Sequence, residues 1–188
     1  MPLIRETIVT TIDQDGQPHL APIGLIVEDK GFVIAPFLPS KTYDNLVATP
    51  FCIANYTDDA RIFAGLVTGR RDWPLSRVAG FPVPRLAGAL AHAELQVSHV
   101  EAHAERPRFH CAILKETQHA PFLGFNRAAN AVLEAAILLT RLHLLPREKI
   151  DREIDYLASA VEKTAGPAER EAWSWLLQKR DAFYSGKT

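Results

Sequence analysis

The sequence predicts an antiparallel β-barrel followed by a helical extension, on three observations. Short β-branched and apolar runs, divided by turn residues, fill most of residues 3–125. Helical spacing is absent between most of those runs, which favours an antiparallel barrel over a parallel sheet. From Asn126 onward the apolar residues follow helical spacing instead. We therefore expect two domains, a barrel over residues 1–125 and a three-helix extension over residues 126–188 that packs on it.

Composition limits the class of protein. With 47% hydrophobic and 23% charged residues, the 188-residue chain is ordinary for a globular protein. Its formal net charge of −1 gives no general attraction to nucleic acid or to an anionic membrane. Two cysteines, Cys52 and Cys111, are too few for a disulfide framework and lack zinc spacing, so we expect buried thiols.

Neither a membrane span nor a secretory signal is expected. Glu134 and Arg141 interrupt the longest apolar stretch, which argues against a bilayer-spanning helix. The first residues, MPLIRETIVTT, lack the charged and apolar regions of a signal peptide. The expected compartment is the cytoplasm.

The barrel strands follow one another along the chain. The run IRETIVTTID alternates apolar and polar residues until the turn DQDG, and PHLAPIGLIVEDKGFVIAPF holds two further runs around a turn at EDKG. FCIANY and ARIFAGLV are interpreted as two more strands. After a loop over residues 70–84, LAGALAHAELQVSHVEAHAE predicts a long strand, and RFHCAILKE predicts its partner.

Three helices are expected in the extension. The first is NRAANAVLEAAILLTRLHLL, which must stop before Pro146. The second is Asp151–Lys163, and the third opens at Pro167, where proline suits the first helical turn.

The segment SKTYDNL, residues 40–46, allows two interpretations. Thr42 can be the N-cap of a short helix, with Asp44 in its first turn. The same helix start can bind a phosphate through free backbone N–H groups, aided by Ser40 and Lys41. No glycine-rich loop accompanies the segment, so it is not a P-loop, and taken alone the cap is favoured.

Other polar positions also have two interpretations. Pro22 and Gly24 indicate a strand edge or bulge where a neighbour or ligand approaches the backbone. The residues from Asn55 to Asp59 are either a hairpin turn or the polar rim of a ligand site. Four histidines are candidate zinc ligands: His92, His99, His103 and His110. Their alternating strand pattern instead favours side chains that are hydrogen-bonded or face solvent.

The stretch from Val9 to Asp59 resembles the FMN-binding split-barrel superfamily. It combines a DG-x-P turn, a strand with a central proline, the Ser-Lys-Thr-x-x-Asn-Leu segment and a strand ending in asparagine. Within the superfamily it is most similar to the family catalogued as domain of unknown function 447. DWP, LAHAE and NRAANAVLEAAILLTRL extend the resemblance over most of the chain.

The resemblance implies a homodimer with FMN between the subunits and a set of cofactor-binding positions. The helical extension is expected to extend the dimer interface. Ser40, Lys41, Thr42 and Asn45 correspond to the segment that meets the phosphate and ribityl chain. The whole implied set is Thr11, Pro22, Ile23, Gly24, Ser40, Lys41, Thr42, Asn45, Asn55 and Thr57. The arginine–lysine set of pyridoxamine-phosphate oxidases is missing, and SKT is closer to the flavin-reductase branch.

Three functions are left open by the sequence. The first is an FMN-dependent oxidoreductase that passes hydride or electrons between NAD(P)H and an unknown acceptor, with no catalytic residue assigned. The second is a non-catalytic protein that stores, delivers or senses FMN. The third, implied by relatives in organisms with pterin-linked metabolism, is an accessory protein of one-carbon metabolism.

Overall fold

The computed structural model describes residues 2–186. The strands are Ile4–Ile12 (β1), Pro18–Glu28 (β2), Gly31–Ile34 (β3), Phe51–Tyr56 (β4), Leu75–Ser76 (β5), Arg85–Leu86 (β6), Ala91–Glu101 (β7) and Arg108–Gln118 (β8). The helices are Lys41–Ala48 (α1), Ala60–Val67 (α2), Arg127–Leu139 (α3), Arg147–Thr164 (α4) and Pro167–Tyr184 (α5).

Six antiparallel strands close into a barrel in the order β1-β2-β3-β8-β7-β4. The predicted antiparallel barrel is thereby confirmed. Its first hairpin, β1–β2, turns at the predicted DQDG, where Gly16 adopts a φ of 75° that favours glycine. β5 lies within the loop predicted for residues 70–84, and β6 directly follows that loop. The two strands pair in a separate two-stranded sheet.

The barrel wall is buried on both faces near β1 and β4. Inside, the core includes Val9, Leu25 and Phe109 together with both cysteines, which are free thiols as expected. Outside, a second apolar cluster joins Ile12 and Ile53 to Val83. Because alternate residues of β1 and β4 face these two clusters, polar side chains between them must find internal hydrogen-bond partners.

The strand predicted for ARIFAGLV is wrong, because these residues form α2. Asp59 is the N-cap of this helix, and its carboxylate accepts from the backbone N–H of Arg61. Buried Ile62, Phe63 and Leu66 then lie on one helical face. The hairpin turn considered for residues 55–59 is likewise wrong, since the acidic end of that segment starts a helix.

By their contacts the residues divide into two units. The first unit comprises the chain up to Thr57 and Trp73–Pro121, and therefore contains the barrel. The second comprises Asp58–Asp72 and the chain from Phe122 onward, so α2 packs with α3 and α5 there. We keep the domain boundary near residue 125 as a proposal.

The three helices predicted for the extension are present as α3, α4 and α5. α3 and α4 pack through Ala128, Ala131 and Val161, with the ring of Trp173 from α5 against the same cluster. None of the helices within residues 2–186 is both long enough and apolar enough to cross a membrane.

Candidate functional site

The N-cap of α1 is Ser40, and this corrects the prediction that Thr42 is the N-cap. Ser40 has an extended backbone (φ −155°, ψ 145°), and its Oγ accepts from the N–H of Tyr43 at 3.3 Å. Thr42 already lies within the first helical turn and is buried. Ser40 accepts the capping bond instead because it is the last extended residue before the helix. The N–H groups of Lys41 and Thr42 consequently have no acceptor within the helix.

Lys41 meets a carboxylate from the β1–β2 turn. Its Nζ lies 3.0 Å from Oδ2 of Asp13, and the Lys41 side chain is half exposed. The other oxygen of Asp13 accepts the backbone N–H groups of Asp15 and Gln17, which fixes the carboxylate in the turn. The Gln17 N–H and the Lys41 ammonium lower the pKa of Asp13, so the partner of Lys41 stays ionised at neutral pH.

Asn45 holds α1 against the barrel. Its Nδ2 donates to Oγ1 of Thr11 on β1 at 2.9 Å, and both side chains are buried. Leu46, the next residue, enters the barrel core. These contacts place the start of α1 beside the turn end of the β1–β2 hairpin.

Asn55 is buried in the barrel wall with each side-chain group engaged. Its Nδ2 donates to the carbonyl of Ile8 at 2.8 Å and to Oγ1 of Thr10 at 2.9 Å. Its Oδ1 accepts the backbone N–H of Leu86 at 2.7 Å. Asn55 therefore ties β1, β4 and β6 together, a role that the sequence did not reveal because Leu86 is 31 residues away.

Pro22, Ile23 and Gly24 lie in a part of β2 that has one ladder partner. They pair with β1, whereas the pairing with β3 covers Ile26–Glu28, so no described strand flanks residues 21–25 on the other side. This agrees with the expectation that Pro22 sits at a strand edge, where a missing N–H is tolerated. At Gly24 a Cβ would lie 2.8 Å from Cγ2 of Ile4, so the close approach of β1 favours glycine.

The predicted positions fall into two groups on the barrel. Ser40, Lys41, Thr42, Asn45 and Thr11 gather at the turn end of the hairpin. Pro22 and Asn55 both pair with Ile8, so they lie in one row across three strands.

The two groups are separated along the hairpin. His19 pairs with Thr11, and Gly24 follows five residues later, about 17 Å along the strand. Thr57, which ends the first of the two segments in that unit, is half-buried just beyond β4. Only an elongated ligand could touch both groups.

A third polar group, centred on His92, joins the same row. His92 pairs in register with Asn55 and is buried, and its Nδ1 lies 2.8 Å from Nε2 of His119. Glu94 Oε1 lies 3.7 Å from Nε2 of His92. The expectation of a satisfied or solvent-facing strand histidine holds only for one nitrogen of His92, because Nδ1 meets His119 whereas the buried Nε2 has no hydrogen-bond partner. Nothing in the sequence indicated His119 as its partner.

Burial controls the protonation of this pair. Burial, the neighbouring His119 and, more weakly, Arg85 lower the pKa of His92, while Glu94 acts in the opposite direction. Burial and Arg85 also lower the pKa of His119. Within residues 2–186 no group of three or more His, Cys, Asp or Glu side chains is arranged to hold a metal ion.

Comparison with known proteins confirms the fold and the resemblance. The solved structure of FMN-bound MM1853 from Methanosarcina mazei is 24% identical, with 95% of this chain and 96% of that chain covered and a TM-score of 0.82. The 2-nitrobenzoate 2-nitroreductase NbaA of Pseudomonas fluorescens is 21% identical over 63% of this chain and 66% of its own, with a TM-score of 0.53.

A third structure supports the same fold. The FMN-binding protein from Thermus thermophilus with bound p-hydroxybenzaldehyde is 16% identical over 63% of this chain and 73% of its own, with a TM-score of 0.52. No curated protein matches the chain. The barrel is thus a split barrel of the kind found in these structures, of which the first is described as FMN-bound and the third as an FMN-binding protein.

Two family models match consecutive parts of the sequence. One, described as "Protein of unknown function (DUF447) N-terminal domain", matches residues 5–120. The other, described as "Protein of unknown function (DUF447)", matches residues 126–178. The chain therefore belongs to the DUF447 family.

Proposed function

We propose that this protein binds FMN along the β1–β2 hairpin. The observation that carries the proposal is the anchoring of the start of α1, through Asn45 and Thr11, at one end of a strand whose residues 21–25 have a free edge. A phosphate at the helix start and a flavin ring along that edge match the two separated groups of polar positions. The FMN-bound structure with the same fold over nearly the whole chain supports this ligand.

The residues around α1 fit a phosphate. The backbone N–H groups of Lys41 and Thr42 are free of helical acceptors, and the Lys41 ammonium is close by. Ser40 Oγ already accepts a capping bond, but its hydroxyl hydrogen remains able to donate. Because Asp13 offsets part of the Lys41 charge, the backbone N–H groups must supply much of the attraction.

The second group fits a flat ring. In this proposal the backbone edge of Pro22, Ile23 and Gly24 faces the isoalloxazine, and Gly24 lets the side chains of Ile4 and Glu6 pack closely against the other strand of the hairpin. Asn55 contributes by fixing the strand row beside it, and Thr57 lies at the end of that strand. When bound, FMN supplies the hydride and electron chemistry, while the protein orients it and controls access.

The proposed activity is an oxidoreductase that moves hydride or electrons between NAD(P)H and a further acceptor. The proposed assembly is a homodimer with FMN at the subunit interface. Apolar side chains exposed on the first unit, among them Leu3, Ile4 and Leu114, would be covered by such a partner. Two buried free thiols suit a reducing compartment, and we propose the cytoplasm.

The absorption spectrum of the purified protein tests the proposal. We expect a flavin spectrum, or quenching of FMN fluorescence when FMN is added to apoprotein. Release on denaturation, followed by mass spectrometry, should identify FMN. A protein that neither carries nor quenches FMN contradicts the binding proposal. Bound flavin that NADH and NADPH both fail to bleach contradicts the reductase activity and favours storage, sensing or an accessory role in one-carbon metabolism.

Lys41→Ala tests the phosphate position. We expect FMN binding to weaken by about 1–3 kcal/mol, the cost of losing a charge-assisted contact. Riboflavin, which has no phosphate, should bind wild type and variant alike. The control is Lys30→Ala, which removes an exposed lysine from the β2–β3 turn. Equal FMN dissociation constants for Lys41→Ala and wild type would remove Lys41 from the phosphate site.

A further inference from the structure

The pair of His92 and His119 has the geometry of a hydrogen bond between ring edges. The two rings are nearly parallel, with an interplanar angle of 4° and centroids 5.0 Å apart. Their facing nitrogens are only 2.8 Å apart, which is too short for rings stacked face to face. The nitrogens therefore lie between the two centroids, and one proton is shared in the ring planes. Two arrangements of that proton are possible.

Glu94 decides between the two arrangements. If His92 Nδ1 carried the proton, the lone pair of its Nε2 would face the Glu94 carboxylate at 3.7 Å in a buried setting. If His119 Nε2 carries it, His92 Nε2–H is directed at the carboxylate instead, and opposite partial charges meet. Because the surroundings have low polarity, the difference in electrostatic energy between the two proton arrangements is large. His92 Nε2 is a buried atom without a hydrogen-bond partner, and Glu94 Oε1 lies 3.7 Å from it.

We propose that Glu94, His92 and His119 form an acid–base relay whose outer end is Nδ1 of His119. In this relay Glu94 orients and polarises His92, and His92 in turn accepts the Nε2–H of His119. His119 is exposed, so its Nδ1 is left as a base at the protein surface. A carboxylate that orients one imidazole is the arrangement that makes histidine an effective acid–base group in enzymes.

The relay suits a small molecule that gains or loses a proton on oxygen or nitrogen. When a polar C=O or C=N bond is reduced, a hydride adds to carbon and a proton must reach the heteroatom. Neutral His119 first takes a proton from solvent on Nδ1, then donates it to the heteroatom and returns to the neutral form in which Nδ1 is bare. This last link rests on the oxidoreductase function proposed above, with a reduced flavin or nicotinamide as hydride donor, whereas the relay itself does not.

Charged side chains around the relay determine the pH at which its two rings are neutral. Glu94 on β7 is the negative group, and Arg85 on β6 is the positive group that opposes protonation of both rings. Arg85 is itself held by bonds from its guanidinium to the carbonyls of Leu86 and Ala87. The rings are thus kept neutral near neutral pH, which is the form a base requires.

Nitrogen NMR on the labelled protein tests the proton positions without any substrate or flavin. Above the ordinary imidazole pKa of about 6.5, we expect Nε2 of both His92 and His119 to be protonated and both Nδ1 atoms to be bare. A proton on His92 Nδ1 with a bare His119 Nε2 would overturn the proposal.

Acylation by diethylpyrocarbonate tests the role of Glu94. The probe reacts with neutral imidazole, and peptide mass spectrometry can compare His119 with the exposed His143 of the same molecule. In Glu94→Gln the amide oxygen keeps a partial negative charge near His92 Nε2 but the full charge is gone, so we expect the His119/His143 ratio to fall about two- to fivefold. An unchanged ratio would contradict the relay and would mean that the three residues only pack against one another.

The control is Glu116→Gln, which removes an exposed carboxylate from β8 that contacts Tyr56. We expect it to leave the ratio unchanged. If both variants lower the ratio equally, the effect is a general charge effect and the relay is contradicted. Absence of FMN binding in wild type leaves these outcomes intact, so failure of the relay and failure of the proposed cofactor can be told apart.

Discussion

Asn55 shows how much a single buried amide can hold in place. Its three hydrogen bonds connect β1, β4 and β6, and its side chain is fully buried. Truncation would leave the N–H of Leu86 and the carbonyl of Ile8 without these partners inside the wall. Unsatisfied buried groups cost more than the loss of an exposed hydrogen bond.

We therefore expect Asn55→Ala to lower the free energy of unfolding by about 2–4 kcal/mol. Urea denaturation followed by circular dichroism measures the change. The matched control is Asn130→Ala, which removes an exposed asparagine from α3 and should change stability by less than about 0.5 kcal/mol. Similar losses in both variants would mean that the Asn55 network contributes little.

At the scale of single residues, the sequence identified candidate site residues, but it did not identify the residues that they contact. Ser40, Lys41 and Asn45 stood out because their types suit a helix start. Their partners, Asp13 and Thr11, lie 28 and 34 residues away, and no local pattern encodes a pairing across that distance. Prediction of the cap failed by two residues for a related reason, since both Ser40 and Thr42 are good caps and only the backbone turn selects one.

At the scale of elements, caps explain where local prediction failed. ARIFAGLV is rich in apolar residues on every side, and a short apolar run does not distinguish strand from helix. The carboxylate of Asp59, which caps the first turn, and the packing of α2 with α3 and α5 decide for the helix. Long segments with a clear period, such as β7, β8 and the last three helices, were predicted with the right type because their pattern repeats several times. Their bounds were less accurate, since α3 ends at Leu139 rather than at Leu145 and α4 begins at Arg147 rather than at Asp151.

Asn126 gives an element-scale prediction. Its Oδ1 accepts the N–H groups of Ala128 and Ala129 at the start of α3, and its Nδ2 donates to the carbonyl of Thr164 at the end of α4. Asn126→Ala should destabilise the protein by about 1–2 kcal/mol, since it removes a cap and a link between two helices.

Asn126→Ser separates the two roles, because serine can cap but cannot reach the end of α4 as asparagine does. We expect it to recover part of the loss in thermal or urea unfolding. A serine variant no more stable than the alanine variant would argue that the link to Thr164, rather than the cap, carries the effect.

For the whole molecule, the pair of buried His92 and exposed His119 predicts a dependence of stability on pH. The pKa values of His92 and His119 are lowered in the folded protein, so the unfolded chain binds protons first as the pH falls. The stabilisation is complete above the ordinary imidazole pKa of about 6.5 and is lost progressively as the pH drops below it.

Urea unfolding at about pH 7.5 and pH 5.5 measures this dependence. In His92→Asn, which removes the buried imidazole, the difference between the two pH values should shrink. His143→Asn, at an exposed position, should leave it as in wild type. A wild-type protein equally stable at both pH values would contradict the lowered pKa values.

The whole architecture was predictable in outline because composition, strand spacing and the change of period at Asn126 each act over many residues. What escaped prediction was the assignment of residues 58–72, which lie between strands in sequence yet pack with the helices. Whether such a segment packs with the barrel or with the helices depends on contacts between distant parts of the chain. Neither secondary-structure propensity nor hydrophobic period contains information about those contacts.

The unflanked stretch of β2 also bears on how the protein avoids unwanted assembly. An open strand edge is a template on which other chains can add strands and aggregate. Pro22 lies in the middle of that stretch and offers no N–H to an incoming strand. The same proline would therefore deny a continuous ladder to another polypeptide, so the edge proposed for the cofactor can stay open at low risk of fibril-like pairing.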